Sequence, residues 1–475
     1  MTAIRGFRPL GWAAAGAALA ATAAVGIVWV SVAPMTTARF TGISWLAAAA
    51  GLLAIATRVE PARLLTVGLV LTPMAGNWAR LGLPPMVAPD RLLLAAGIVA
   101  VFGRTLTTAG TPLPRWRAVH TAMALYLAVV VASALAVGTF FSDPVRLVDR
   151  GGLLAFGAFA VAPVAFATAR DRRFLLWGLT LLGAYLSVTA VLEITAPQLV
   201  VPSFIVDPSY TTHAGRARGP ALEASANGLA LFSCGMAALI LRGLEDRPRV
   251  RALLVAVVVL CALGVLLTLT RSVWIGAITG TVVAMLAARE LRPWLLPTLL
   301  AGAVAVALAF TVIPGLESSA DSRASSQTTV WDRQNLNTAA VNMFLEQPLV
   351  GQGWDTFGRV ANGFFWQGDD YPLTVNQTTG AHNVVLARAS EIGLIGVTLW
   401  AAAIILAIVA GLTTKPATPD LRPWRLALIA MSVFVLVLVM LTPAAKVFTF
   451  ILPLMWAGVA AGPGAISEHE GAHSA

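Results

Sequence analysis

Residues 251–292 read RALLVAVVVLCALGVLLTLTRSVWIGAITGTVVAMLAARELR, two nearly charge-free apolar runs joined by a tip that holds one arginine, Arg271. A hydrocarbon core about 30 Å thick takes roughly 20 apolar residues of helix per crossing. Runs over 252–269 and 272–288 therefore form a transmembrane hairpin, with Arg251, Arg289 and Arg292 at one end and Arg271 at the other.

Working outward, the same pattern recurs at 10–33, 42–57, 63–77, 91–103, 118–138, 152–169, 174–195, 221–241, 294–313, 383–411, 424–441 and 446–461. The runs are rich in Leu, Ala, Val and Gly and do not alternate, which selects helices over an outer-membrane barrel. Of 475 residues, 58% are hydrophobic and 11% charged, too little polar surface for a soluble globule of this size. The expected fold is an all-α polytopic transmembrane bundle of 12–14 spans. The range reflects the short runs 63–77 and 91–103, which with Leu83-Pro84-Pro85 between them also read as a re-entrant hairpin. The first run follows Arg5 and Arg8 but is longer than the apolar stretch of a signal peptide, and it is taken as a span.

Arginine distribution sets an orientation. With the N-terminus cytoplasmic, alternate loops carrying Arg58/Arg63, Arg104/Arg115/Arg117, Arg170/Arg172/Arg173, Arg242/Arg247/Arg249/Arg251, Arg289/Arg292 and Lys415/Arg422/Arg425 all lie inside. Together with Arg5 and Arg8 they hold 19 of the 32 basic residues. This retention accounts for the net charge of +10 without invoking nucleic acid. The opposite face then receives the one long polar segment. The chain divides into N-terminal spans (1–200), central spans with arginines at the outer face (201–313), a long extracytoplasmic loop (314–381), C-terminal spans (382–461) and a cytoplasmic tail (462–475).

The long loop starts Ser-rich and then changes character. Trp331, Leu336, Ala339, Ala340, Met343 and Phe344 recur at helical spacing and predict an amphipathic helix lying on the membrane face, with Arg333 in its first turn. Pro348 stops the helix, and Gly351-Gln352-Gly353-Trp354 makes the following turn.

The runs RQNLNTAAVNMFLEQPLVGQGWDTF (333–357) and HNVVLARASEIGLIG (382–396) resemble the signature region of the O-antigen ligase and Wzy-type polysaccharide polymerase superfamily. The resemblance rests on an Arg ahead of a short helix, a Pro-x-x-Gly-x-Gly turn, and His-Asn opening a span that carries Glu and Gly-Leu-x-Gly. RARGPALEASANGLALF (216–232) and TLTRSVWIG (268–276) fit the same pattern, so the likeness runs from Arg216 to Gly396. It implies transfer of a glycan from an undecaprenyl diphosphate carrier to an acceptor hydroxyl of a glycan or lipid-glycan. The transfer would be inverting, without metal or other cofactor, at the outer face of the bacterial cytoplasmic membrane. Between ligase and polymerase the sequence does not choose, and it sets no oligomeric state.

The resemblance, weighed with physical chemistry, implies the candidates. His382, beside a span at the outer boundary, can accept the proton of an attacking hydroxyl. A diphosphate leaving group needs cations, and arginine forks match phosphate oxygens, which selects Arg271 and Arg333 as its clamp. Arg216 and Arg218 bind the diphosphate or an acidic glycan, or else anchor the interface. Glu223 and Asn227 stand one helical turn apart at the top of a span, where a carboxylate is a functional candidate, although Glu223 can equally pair with Arg218. Asn383 and Glu391 complete the substrate-binding set, although Glu391, with Arg388 a ready partner, can instead orient the span.

Other patterns carry less. His469-Glu-Gly-Ala-His473 matches the H-E-x-x-H zinc pattern but contains Gly471 and lacks a stable helix to present both imidazoles. Asp369-Asp370 reads as a solvated turn, and there is no Walker-type phosphate loop. The competing function is a polysaccharide transporter or a flippase of lipid-linked oligosaccharide. It would carry charges within several spans and no large one-sided loop.

Overall fold

The computed structural model describes residues 58–83, 88–107, 116–142, 144–210, 215–312, 328–365, 381–414, 421–443 and 448–462. The expected spans 10–33 and 42–57, Pro84-Pro85, His213, the Ser-rich start of the long loop, Asp369-Asp370 and the histidine pair of the tail lie outside them.

Among the described residues, thirteen helices of eleven residues or more carry the architecture: α1 (Pro61–Leu71), α2 (Pro89–Thr107), α3 (Ala118–Ala136), α4 (Leu153–Ala165), α5 (Ala169–Thr195), α6 (Ala224–Gly243), α7 (Pro248–Leu267), α8 (Arg271–Ala287), α9 (Leu295–Val312), α10 (Thr328–Glu346), α11 (Val384–Thr413), α12 (Arg422–Leu441) and α13 (Phe448–Ala461). No strand occurs among the described residues. Six of the helices, α3, α5, α6, α7, α11 and α12, are long and apolar enough to cross a bilayer, and shorter apolar helices join them. The molecule is an all-α, multi-pass membrane protein.

Without a hydrophobic force between helices in lipid, small residues decide where backbones approach. Gly276 and Gly280 on α8 face the Phe434 ring and the Ala430 carbonyl of α12, so close that a Cβ at Gly280 would stand 2.5 Å from that oxygen. Gly183 of α5 fits against Cys234 of α6 and Cys261 of α7, which makes both free cysteines packing residues. Gly68 of α1 and Gly97 of α2 receive Leu94 and Leu65. By contrast α9 stands largely bare, with Leu296 65% exposed and Leu308 58%.

The arginine-rich connections meet on one face, where Arg173 pairs with Glu245 at 2.6 Å and Arg422 with Glu290 at 2.7 Å. The opposite face gathers Arg80, the segments 196–210 and 215–223, the α7–α8 tip, α10 and the start of α11. There Asn77 donates to the Pro220 carbonyl at 2.8 Å and the Arg80 guanidinium lies 5.1 Å from the Tyr210 ring centre.

The largest departure from a plain bundle is inside α11. Gly393 sits at φ 63°, ψ −168° and interrupts the helix. The Pro348–Gly353 turn fills the interruption. Leu394 and Ile395 N–H donate to the carbonyls of Pro348 (2.8 Å) and Leu349 (3.3 Å), while Gln352 and Gly353 N–H donate to those of Ser390 and Glu391, both at 2.9 Å. Four bonds to the turn thus engage backbone groups on both sides of the break. Glycine is required on both sides. A Cβ at Gly393 would meet the Leu349 carbonyl carbon at 2.3 Å, and one at Gly351 the Glu391 carbonyl carbon at 2.4 Å.

Helix α10 begins at Thr328, so Arg333 lies in its second turn rather than its first. Its apolar face differs from the expectation in direction. Leu336, Ala339, Ala340 and Met343 are buried against Phe357, Ala361, Ala381 and the partly buried Leu386, not laid on the membrane. Helical spacing identified the face. The polar loop's own short helices, at 357–360 and 361–364, supply its cover.

Gly393→Ala and Gly351→Ala each force a side chain into left-handed backbone, a strain of about 1–3 kcal/mol before the clash is counted. Both are expected to lower the thermal midpoint of the detergent-solubilised protein. Gly302→Ala in α9, with nothing within 4 Å of its added Cβ, is expected not to lower it.

Candidate functional site

The α7–α8 tip is built by a strained residue. Leu269 adopts φ 46°, a left-handed conformation that a branched aliphatic residue rarely takes, and its side chain is buried with Ala190, Ala217 and Leu267. Thr270 Oγ1 accepts from Arg216 Nη1 at 3.5 Å and donates to the Thr268 carbonyl at 2.8 Å. Arg271 follows as the first residue of α8, exposed.

Three neighbouring elements hold the 216–219 segment in place. Ala217 N–H donates to the Leu267 carbonyl at 2.9 Å, and Asn227 Nδ2 donates to the Ala217 carbonyl at 3.0 Å. Glu193, at the end of α5, accepts from the Arg218 and Gly219 N–H groups at 3.0 and 2.9 Å. The half-buried Arg216 is thereby set beside the Arg271 tip. Arg218 turns the other way: its buried guanidinium donates to the Ile205 and Tyr210 carbonyls at 2.9 and 2.6 Å and lies 5.2 Å from the Tyr210 ring centre. Glu223 precedes α6 and accepts from Ser225 Oγ at 2.5 Å.

Arg333 comes to this tip from α10. It is exposed, yet the surrounding protein displaces enough water to draw its ionisation below the usual arginine range, and the nearby Arg271 adds like-charge repulsion. Among the described residues no carboxylate lies within ion-pair distance of Arg271 or Arg333. His382, half-buried just ahead of α11, completes the group. Burial first, then the positive charge of Arg333, pull its imidazole from 6.5 down to about 4, with Asp332 opposing. Its Nδ1 is buried and has no hydrogen-bond partner among the described residues. At neutral pH the imidazole is therefore uncharged.

The structure thus brings Arg271, Arg333, His382 and Arg216 together at one face. It places Arg218, Asn227 and Asn383 in supporting roles. Asn383 caps α11 by accepting from Leu386 N–H at 3.1 Å, and its amide reaches Met440 Sδ of α12 at 3.7 Å. Glu391 is buried and pairs with Arg388 at 3.5 Å. Arg388 in turn donates to the Arg150 carbonyl at 2.8 Å and stacks 4.4 Å from the Trp354 ring centre.

A family comparison covers most of this constellation. Residues 256–401 match the family model for O-antigen ligase. No curated protein matches the chain. The O-antigen ligase stretch starts within α7 and ends within α11, enclosing Arg271, Arg333, His382 and the Gly351–Gly393 splice, with Arg216 and Glu193 outside it.

Sequence reading missed Glu193 and the ion pairs of Asp355 with Arg146 (2.9 Å) and Arg150 (2.8 Å). Glu193 had a signal: it is a lone carboxylate within an apolar run, the criterion that singled out Glu223. Asp355 had none, because its partners lie about two hundred positions away.

The charge around His382 is directly testable. Diethylpyrocarbonate modifies only neutral imidazole, so peptide mapping should show His382 still reactive at pH 5.5, with a midpoint well below the ordinary value of about 6.5. In Arg333→Gln one source of repulsion is gone and the midpoint should move upward. A wild-type midpoint near 6.5 would contradict the site geometry.

Proposed function

We propose that this protein is a membrane glycosyltransferase of the O-antigen ligase type. It would move a glycan from an undecaprenyl diphosphate carrier to an acceptor sugar hydroxyl at the outer face of the bacterial cytoplasmic membrane, with both termini cytoplasmic. The observation that carries this reading is the meeting of Arg271 and Arg333, free of carboxylate partners among the described residues, with a neutral His382. The O-antigen ligase match supports it.

In the proposed reaction the donor diphosphate lies between Arg271 and Arg333, with Arg216 alongside. The acceptor oxygen attacks the anomeric carbon from the face opposite the phosphate, which inverts that centre. As the new C–O bond forms, the hydroxyl proton passes to the His382 imidazole. The anomeric C–O bond breaks, its electron pair stays on the departing phosphate oxygen, and the arginines stabilise that charge. An imidazole held at about 4 is a weak base. A bound diphosphate would offset the Arg333 field and raise its basicity toward the range that suits proton transfer near neutrality. The base would gain strength when the donor is seated.

His382→Ala is expected to cut transfer about 10²–10⁴-fold, the usual worth of a positioned general base. Arg271→Gln and Arg333→Gln should each cost about 10²–10³-fold, as removal of an anion-stabilising donor does. The measurement is analysis of surface glycans together with lipid-linked intermediates in the native host. Accumulated single repeat units would mark a polymerase, and accumulated long lipid-linked chains a ligase. Unchanged glycan length and attachment in His382→Ala would end the catalytic assignment.

A further inference from the structure

The outward side of α10 changes character along its length. Near its start it exposes Arg333 and Gln334, and near its end Val341 (37%) and Leu345 (66%). The stripe continues past the helix into Leu349 (61%) and Val350 (62%). Glu346, beside it, accepts from Gln352 Nε2 at 3.5 Å.

The depth of this stripe follows from the break in α11. The residues after it, 394–413, number twenty and span about 30 Å of helix, one hydrocarbon thickness. Gly393 therefore marks the edge of the hydrocarbon on the site face. Leu394 and Ile395, the first residues beyond that edge, are 49% and 47% exposed on a membrane-crossing helix and so face lipid. Ile395 N–H is hydrogen-bonded to the Leu349 carbonyl and Leu394 N–H to that of Pro348, which puts the α10 stripe in continuity with the lipid-facing surface of α11.

We infer that Val341, Leu345, Leu349 and Val350 are sunk into the acyl-chain border of the leaflet on the site face. On this reading α10 is an in-plane membrane element that descends from an aqueous Arg333 end to a lipid-covered Pro348 end. Its two apolar sides have different partners: one is covered by the protein's own loop helices, the other by the bilayer. This inference is independent of the transfer reaction and of which face is outermost.

The test uses the full chain in phosphatidylcholine/phosphatidylglycerol nanodiscs. Gln334→Cys, Leu345→Cys, Leu349→Cys and Leu394→Cys are labelled singly with an environment-sensitive NBD dye, the native Cys234 and Cys261 being buried. Phosphatidylcholine carrying a spin label near the headgroup should quench the labels at 345, 349 and 394 at least about threefold more than the label at 334, and aqueous iodide the reverse. Two results would overturn the inference. One is equal iodide access at 334, 345 and 349 while 394 is lipid-quenched. The other is protection at 345 and 349 that disappears when each disc holds a single copy, which would assign the stripe to a second chain.

Discussion

A backbone amide in hydrocarbon has no water to bond, and each one left open costs several kcal/mol. The break in α11 at Gly393 lies at the edge of that region and is buried in protein, and the Pro348–Gly353 turn satisfies the groups it exposes. Much else follows from that junction. The same turn continues into Trp354, whose N–H meets Ser133 Oγ at 2.9 Å and whose carbonyl accepts from Thr139 at 2.9 Å, and into Asp355, held between Arg146 and Arg150. The polar loop is thereby bonded to helices from both halves of the chain, and α10 and the start of α11 are fixed relative to each other.

That fixation lets the site keep an unfavourable charge arrangement. Arg271 and Arg333 repel each other, and both depress the protonation of their surroundings. Cations left to relax in water would move apart or recruit carboxylates. Here one sits on a tip whose Leu269 is locked in a strained conformation and the other on a helix bonded into a span. The repulsion is held in place by packing elsewhere, and a multivalent anion relieves it.

Much of this was legible in the sequence, for identifiable reasons. Spans read well because apolar length is a direct consequence of bilayer thickness: 118–138 became Ala118–Ala136, and 252–269 became Pro248–Leu267. Arg271, Arg333 and His382 stood out as polar residues at span borders and within a recognisable pattern. Less legible was anything that depended on pairing across the chain. The glycines of PLVGQG and EIGLIG were visible, but their reciprocal fit depends on two backbone conformations that no local preference specifies. The direction of the α10 face was likewise unreadable, because both of its apolar sides look alike until the cover from 357–365 is known. Arg218 was likewise open in the sequence, between binding substrate and anchoring the interface, because the Ile205 and Tyr210 carbonyls that engage its guanidinium are not visible from its position.

The splice also bears on biogenesis. Residues 348–353 precede Gly393 in the chain, so the segment that fills the break leaves the ribosome before the broken span is made. The partner is already available when the defective helix partitions into lipid, and the defect never has to persist unpaired. A polypeptide with the reverse order would have to park an interrupted span in the bilayer and wait. Chain polarity, which is irrelevant to the finished contacts, thus becomes a condition for reaching them.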